Sequence, residues 1–242
     1  KEIIYWGSIR GENNDNSNMF LGCSNLIFTN VGDIINLNGI TSISGMFAGC
    51  SSLTIGGNIY SWDTFSVIYM DNVFQNCTNF NENIYTWSTQ NVVSMVGMFE
   101  GCTNFNQNIG SWQVSNVTDM TGMFKNANSF DGSIGNWNVS SVQTMFDMFN
   151  GASSFNQDLS GWDVSNVTDM SYMFDNATSF NQPIGNWNVS NVIGMSEMFL
   201  YASSFNQDLS GWCVTKIPSL PPDYDTGAIS WVLPRPVWGT CP

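Results

Sequence analysis

The sequence has no histidine and only five lysine and arginine residues among 242, against 19 aspartates and glutamates. Catalytic triads with an imidazole base and metal sites with histidine ligands are therefore excluded. The formal net charge of −14 at pH 7 disfavours nucleic acid and anionic membranes, because both are also negatively charged. No apolar run approaches the roughly 20 residues that a transmembrane helix needs. We expect no nucleic-acid partner and no transmembrane segment.

Carboxylates are plentiful but scattered, and their arrangement matters more than their number. They show neither the spacing of a calcium loop nor a sequence-local pair suited to acid–base catalysis. The hydrophobic fraction of 43% is that of an ordinary folded protein, so the acidity does not indicate disorder. The sequence predicts a protein that is not an enzyme, with no catalytic residues, no metal site and no cofactor.

A repeat of 25 residues organises most of the chain. Ser154–Thr178 reads SFNQDLSGWDVSNVTDMSYMFDNAT, and the next 25 residues keep its framework. Tryptophan recurs at this interval without a slip: Trp62, Trp87, Trp112, Trp137, Trp162, Trp187 and Trp212. A fixed period of this length is typical of a solenoid, in which each repeat buries its apolar face only against its neighbours.

Two spacings alternate within one repeat. L-x-x-W-x-V, at Leu159, Trp162 and Val164, predicts a short strand with one buried face. Apolar residues then follow at helical steps from Val167 to Ala177, which predicts a helix of about three turns. The expected fold class is an α/β repeat solenoid of about seven or eight coils, each with one short parallel strand and one short helix.

The ends of the chain depart from the repeat. Residues 1–18 are expected to form an N-terminal cap, residues 19–214 the solenoid, and residues 215–242 a C-terminal cap. In the last segment, five apolar residues are expected to cover the open end of the final coil: Trp231, Val232, Leu233, Val237 and Trp238. A contact with another subunit is the alternative role for this apolar end-piece.

The combined motif carries a family resemblance. L-x-x-W-x-V-S-N-V-T-D-M followed by M-F-x-x-A-x-S-F-N-Q resembles the BspA-type leucine-rich-repeat surface proteins over roughly residues 19–214. The resemblance implies a right-handed leucine-rich-repeat-like solenoid, a location at the surface of a microbe or secreted from it, and a role in binding or adhesion. It offers no catalytic motif to transfer. The early repeats depart from the pattern, with Ile35 where tryptophan is expected.

The six cysteines fall into two groups. Cys23, Cys50, Cys77 and Cys102 lie three residues after a repeat phenylalanine, where later repeats carry alanine. A position shared by cysteine and alanine indicates a small buried site, so free thiols are expected there rather than bridges. Cys213 and Cys241 lie outside this column and are expected to form a disulfide.

Polar residues alternate with the inward positions of the predicted strands and form the candidate binding face. The candidate binding residues are Gln113, Asn138, Asp163, Asn188, Ser115 and Ser165. This face has hydrogen-bonding groups in register but no aromatic anchor, so its affinity would come from repetition. A solvated surface is the alternative. The tryptophan column is expected to pack in the core rather than stack on glycans.

Six asparagines lie in N-x-S/T sequons: Asn76, Asn116, Asn138, Asn166, Asn176 and Asn188. They are candidate glycosylation sites if the protein is made in a eukaryotic secretory pathway. Several are also repeat positions at which turn and cap chemistry alone selects asparagine. Both interpretations stay open.

Two functions are compatible with these features. The first is a non-enzymatic binding or adhesion module, extracellular or at a cell surface, whose partner is a protein or glycan on a cell or matrix. The alternative is a structural subunit that assembles with copies of itself into an extracellular filament, sheath or surface layer.

Overall fold

The computed structural model describes residues 2–3, 14–28, 33–55 and 58–242. Most of the predicted N-terminal cap therefore lies outside the described residues. Two short strands are present, β1 (Glu2–Ile3) and β2 (Ile27–Phe28), together with one 3-10 helix (Ile59–Ser61). The strands pair in parallel, with Glu2 opposite Ile27 and Ile3 opposite Phe28. No α-helix occurs within the described ranges.

Successive repeats stack in register through single parallel bridges. The bridged residues are 27 positions apart in the first repeats and 25 apart from Tyr69 onward. They are Asp15 to Ser42, Ser42 to Tyr69, Tyr69 to Ser94, Ser94 to Asp119, Asp119 to Thr144, Thr144 to Asp169, and Asp169 to Gly194. Each bridge is one residue long, so the repeats align without extending into long strands.

The helix predicted from Val167 to Ala177 is wrong. The N–H groups of Tyr172, Phe174 and Asn176 do not donate to carbonyls four residues earlier. They donate to the next repeat instead, to the carbonyl oxygens of Ser196 (2.9 Å), Met198 (2.9 Å) and Leu200 (2.7 Å). The residues between them close local turns, each bonding a carbonyl three residues back, as Asp175 does with Tyr172 (3.1 Å). All of these backbone donors are satisfied without a helix.

Left-handed backbone conformations are the physical reason for this correction. Tyr172 and Asn176 have φ of 62° and 55°, which a right-handed helix cannot contain. The two equivalent positions in other repeats are also left-handed and are filled mostly by residues that tolerate this conformation: Gly45 and Gly49, Asn72 and Asn76, Gly97 and Gly101, Gly122 and Asn126, Asp147 and Gly151. The segment is thus a chain of turns.

The strand predicted over L-x-x-W-x-V is also wrong. The N–H of Trp162 donates to the carbonyl of Leu159 (3.0 Å), and the N–H of Val167 donates to that of Val164 (2.9 Å). The chain therefore turns where a pleated strand was expected. Leu159, Trp162 and Val164 still point inward, because the turns bring all three to the core side. The α/β class with a strand and a helix in each repeat is replaced by a stack of turn-built coils.

Aromatic side chains fill the core in continuous columns. Phe149 lies between Phe124 and Phe174, at ring-centroid distances of 5.6 and 5.7 Å. Trp162 is 3% exposed and lies 6.5 Å from Trp137, and its Nε1 donates to a carbonyl 28 residues earlier, that of Ile134, at 3.2 Å. The predicted burial of the tryptophan column is confirmed. From Trp87 to Trp212, each tryptophan of the column donates its Nε1 hydrogen to a carbonyl of the preceding coil. Trp62 is also 3% exposed, so none of the seven rings is free to stack on a glycan.

The cysteines occupy three environments. Cys213 and Cys241 are joined by a disulfide. Cys50, Cys77 and Cys102 are free and buried, and burial raises the pKa of the Cys50 thiol to about 11. Cys23 is free but exposed, contrary to the expected buried position. Each buried thiol donates to a carbonyl of the preceding coil, as Cys50 does to that of Phe20 at 3.1 Å, whereas Cys23 belongs to the first coil of this column.

The C-terminal segment follows the coil path once more instead of leaving it. Phe199 and Tyr201 donate their N–H groups to the carbonyls of Tyr224 and Thr226, each at 2.8 Å. Trp231 lies edge-on to Phe205, with ring centroids 4.7 Å apart, and is buried.

The other apolar side chains of the C-terminal segment are of two kinds: some pack on the last coil and others are exposed. Trp238 is partly buried and packs edge-on against Tyr224, with ring centroids 4.8 Å apart. Val232, Leu233 and Val237 are exposed and do not cover the end of the stack as expected. Two tryptophans and a tyrosine, rather than the valines, close the last coil.

Candidate functional site

The candidate binding residues lie on the surface in neighbouring coils. Gln113, Asn138, Asp163 and Asn188 are exposed at the same step of four successive repeats. Ser115 is exposed and Ser165 is half-buried. The structure therefore places the predicted residues along one edge of the stack, but their hydrogen bonds separate them into two kinds.

Three of these side chains form turns within their own repeat. Asn138 Oδ1 accepts from the N–H (3.2 Å) and the hydroxyl (2.7 Å) of Ser140, and Asn188 makes the same pair with Ser190. Asp163 Oδ1 accepts from the N–H of Ser165 at 3.1 Å. Hydrogen bonds from the hydroxyl and the N–H of Ser165 lower the pKa of Asp163. These residues have a structural role in the turns.

Gln113 differs from the other three. Its backbone N–H is held by Thr89 Oγ1 at 2.9 Å, but its side-chain amide makes no hydrogen bond to another described residue. The same is true of the amide of Gln90 in the preceding coil. Both residues line a depression of about 320 Å³ with Tyr85, Thr86, Ser88 and Ser111. Free donors and acceptors therefore converge at one place on the face.

Exposed aromatic rings cluster beside this depression. Of the five exposed aromatic side chains in the described part of the chain, four lie between residues 60 and 85. Tyr60, Phe65 and Tyr85 are 51%, 53% and 53% exposed. Hydrogen bonds join the coils that carry these rings. Asn91 Nδ2 donates to the backbone carbonyl of Phe65 at 2.8 Å, and the Thr86 hydroxyl donates to the backbone carbonyl of Tyr60. We call Tyr60, Phe65, Tyr85, Gln90 and Gln113 the aromatic patch.

The aromatic patch was not predicted from the sequence, because the repeated positions of the face contain no aromatic residue. The sequence feature that marks the patch is a departure from the repeat in the early coils. Where Tyr60 and Tyr85 stand, later repeats have glycine or serine: Gly110, Gly135, Ser160, Gly185 and Ser210. Where Phe65 stands, later repeats from the third onward have serine: Ser115, Ser140, Ser165 and Ser190. Bulky rings replace small residues only in the early coils.

Two further depressions occur along the stack and lack aromatic residues. One is lined by Ser133, Asn136, Gln157 and Asp158, and the other by Thr118, Ser140, Gln143 and Asn166. Hydrogen bonds from Ser160 lower the pKa of Asp158. These depressions have the small polar character that the sequence predicted for the whole face.

Acidic residues gather on the turn segments of adjacent coils. Asp147 pairs with Lys125, and Asp175 lies near Asp147 and Glu197. Burial raises the pKa of Asp175 to about 6, and the negative charges of Glu197 and Asp147 add to this. No group of three or more acidic or cysteine side chains in the described residues is arranged to hold a metal ion.

All six sequon asparagines are exposed. Several also contribute to the stack. The side-chain amides of Asn116 and Asn166 donate to the carbonyls of Gln90 and Ser140, each at 2.7 Å. Asn76 and Asn176 occupy left-handed turn positions. Turn and stacking chemistry therefore accounts for asparagine at these positions.

A family model described as "Mycoplasma protein of unknown function, DUF285" matches residues 14–134 and 127–221. No curated protein and no solved structure matches the chain. No helix in the described ranges has the length and apolarity to cross a bilayer.

Proposed function

We propose that this chain, which belongs to the DUF285 family of proteins of unknown function, is a non-enzymatic binding or adhesion module. Its place is extracellular or at a cell surface, and its partner is a protein or glycan on a cell or matrix. The closer likeness to BspA-type surface proteins is part of this proposal. The observation that carries it is the aromatic patch, where exposed rings and unpartnered amides lie together.

The rest of the stack supports the proposal by making the patch rigid. Parallel bridges and aromatic columns fix each coil against the next. A surface that is already ordered loses little conformational entropy when it binds. The disulfide between Cys213 and Cys241 suits an oxidising compartment such as the cell exterior.

The test measures adhesion of the purified chain to fixed cells and to immobilised matrix proteins. The wild-type chain is expected to bind, and the double variant Tyr85→Ala, Gln113→Ala is expected to lose binding. Gln143→Ala is the matched control, because Gln143 is also an exposed glutamine on the stack, but it lies in a depression without aromatic residues. Equal loss in the control would contradict the proposed site.

A structural subunit is the second candidate, favoured by the surface of the last coil. Ile229 and Val232 are 82% and 80% exposed, and Val237 is also exposed. Apolar side chains grouped at the end of a stack are suited to contact with another copy. Under this alternative the chain forms concentration-dependent oligomers in analytical ultracentrifugation, and Ile229→Ser with Val232→Ser abolishes them. A strictly monomeric chain would contradict it.

A further inference from the structure

The aromatic patch combines exposed aromatic rings and unpartnered amide groups on one small surface. Tyr85 presents an exposed ring, and Gln90 and Gln113 present amides with no partner among the described residues. Ser88 and Ser111 add hydroxyl groups to the same depression. No lysine, arginine, aspartate or glutamate lines it. The ligand it fits is uncharged, has an apolar face and carries several hydroxyl groups.

We infer that this depression binds a neutral oligosaccharide. A pyranose ring has a face of C–H groups that packs on an aromatic ring, while its hydroxyls both donate and accept hydrogen bonds at the rim. Glutamine amides offer both a donor and an acceptor, as sugar hydroxyls require. The volume of about 320 Å³ is at the lower end of small-molecule sites, which suits one or two sugar units of a longer chain. This inference rests on the proposed binding function and names its ligand class.

Hydrogen bonds and ring packing hold the residues that line the depression in fixed positions. Trp87 lies under the depression, with its ring between those of Trp62 and Trp112 at 5.8 and 6.5 Å, and its Nε1 donates to the carbonyl of Ile59 at 2.9 Å. Ser111 Oγ donates to the carbonyl of Tyr85 at 2.8 Å. The backbone that carries the exposed ring is therefore fixed to the coil on its far side.

The neighbouring coil extends the site along the stack. Tyr60 stands one repeat before Tyr85 at the same step, and the Thr86 hydroxyl joins the two coils at this point. Stacked coils lie about 4.8 Å apart, close to the rise of a sugar residue in an extended chain. Later coils carry glycine or serine at this step, so the run of exposed rings ends at Tyr85. An oligosaccharide lying along the stack axis fits this geometry better than a single sugar.

The experiment probes the full chain on an array of immobilised oligosaccharides, both neutral and sialylated or sulfated. We expect binding to a subset of neutral glycans. Tyr85→Ala is expected to reduce the array signal about tenfold and Gln113→Ala several-fold, in line with the loss of one ring contact and one hydrogen-bonding group. Thermal unfolding of each variant should match the wild type, because neither side chain is buried.

Two controls separate the site from general surface chemistry. Tyr201→Ala removes a ring that is equally exposed, at 52%, but lies on the turn segment of a different coil. Gln143→Ala removes an exposed amide from a depression without aromatic residues. Both controls should keep the wild-type array signal. Loss of signal in either control, or binding only to anionic glycans, would overturn the inference.

Periodate treatment of the fixed cells used above distinguishes this inference from the broader proposal, because it cleaves vicinal diols of sugars. Adhesion that disappears after periodate and that needs Tyr85 supports glycan binding. Adhesion that needs Tyr85 but survives periodate overturns glycan binding and leaves a protein partner at the same patch. No adhesion to untreated cells or matrix proteins, with no signal on the array, contradicts both.

Discussion

At the scale of single residues, the coils depend on left-handed backbone conformations at two fixed steps of the repeat. Glycine, asparagine and aspartate adopt these with little cost, whereas other residues are strained there by about 1–2 kcal/mol. Tyr172, Glu197 and Tyr201 occupy such positions, with φ of 62°, 55° and 54°. The late coils therefore store strain that the earlier ones avoid.

Replacing Glu197 tests this claim with a matched pair. Glu197→Asn is expected to raise the free energy of unfolding by about 1 kcal/mol relative to Glu197→Gln. Both variants remove the same negative charge, but asparagine tolerates the left-handed conformation, as Asn72 shows with the same φ of 55°. Urea unfolding measures the difference. Equal stability of the two variants would show that the backbone at this position is not strained.

The candidate binding residues are alike in exposure but differ in their hydrogen bonds. The sequence correctly predicted that this polar column is exposed. However, the side-chain oxygens of Asn138, Asp163 and Asn188 accept hydrogen bonds within their own turns. Only hydrogen-bond partners, which a sequence does not display, separate these from Gln113. The rings of Tyr60, Phe65 and Tyr85 occupy steps at which the later repeats carry small residues, so a prediction built on the repeated residues does not include them.

At the scale of elements, periodicity alone could not distinguish a helix from consecutive turns. Both place apolar residues three apart on the core side, so Val167, Met170 and Met173 satisfy either. The useful signal was glycine or asparagine recurring four positions apart, as at Gly97 and Gly101. That pattern favours turns over a helix. The acceptors of Tyr172 and Phe174 lie one repeat away, and no local rule reveals them.

Stacked turn segments also bring like charges together, with a consequence for pH. Burial first, and then the charges of Glu197 and Asp147, raise the pKa of Asp175 to about 6 in the folded state, while Lys125 opposes the shift. The unfolded carboxyl titrates near 4. The folded protein therefore holds this proton at higher pH, and the contribution of Asp175 to stability falls as pH rises from about 4 to about 6.

Asp175→Asn is expected to remove this penalty. At pH 7 the variant should be more stable than the wild type by about 1–2 kcal/mol after solvent screening, and the gain should vanish near pH 4. Asp163→Asn is the control, and its effect on the free energy of unfolding at pH 7 should have the opposite sign. Hydrogen bonds from Ser165 lower the pKa of Asp163 and favour its charged form, so the variant should be less stable than the wild type. Denaturant unfolding at several pH values measures both. A gain for Asp175→Asn that is independent of pH would contradict the assignment.

At the scale of the whole molecule, the repeat period predicted the order of stacking, since the bridged residues keep the same intervals as the motif. The C-terminal coil was not foreseen, because Pro218, Pro221 and Pro222 interrupt the residue pattern. Its backbone nevertheless follows the previous coil, as the hydrogen bond from Phe199 to Tyr224 shows. Backbone bonding between coils, rather than regular secondary structure within them, builds the molecule.

The most direct test of this architecture is the acceptor of a single amide. Scalar coupling across hydrogen bonds, measured by NMR on isotope-labelled protein, identifies the carbonyl that receives the N–H of Phe174. The stack of turns predicts coupling to the carbonyl carbon of Met198 in the next coil, where the N···O distance is 2.9 Å. Coupling to Met170, four residues earlier, would show an α-helix in each repeat and would contradict the account.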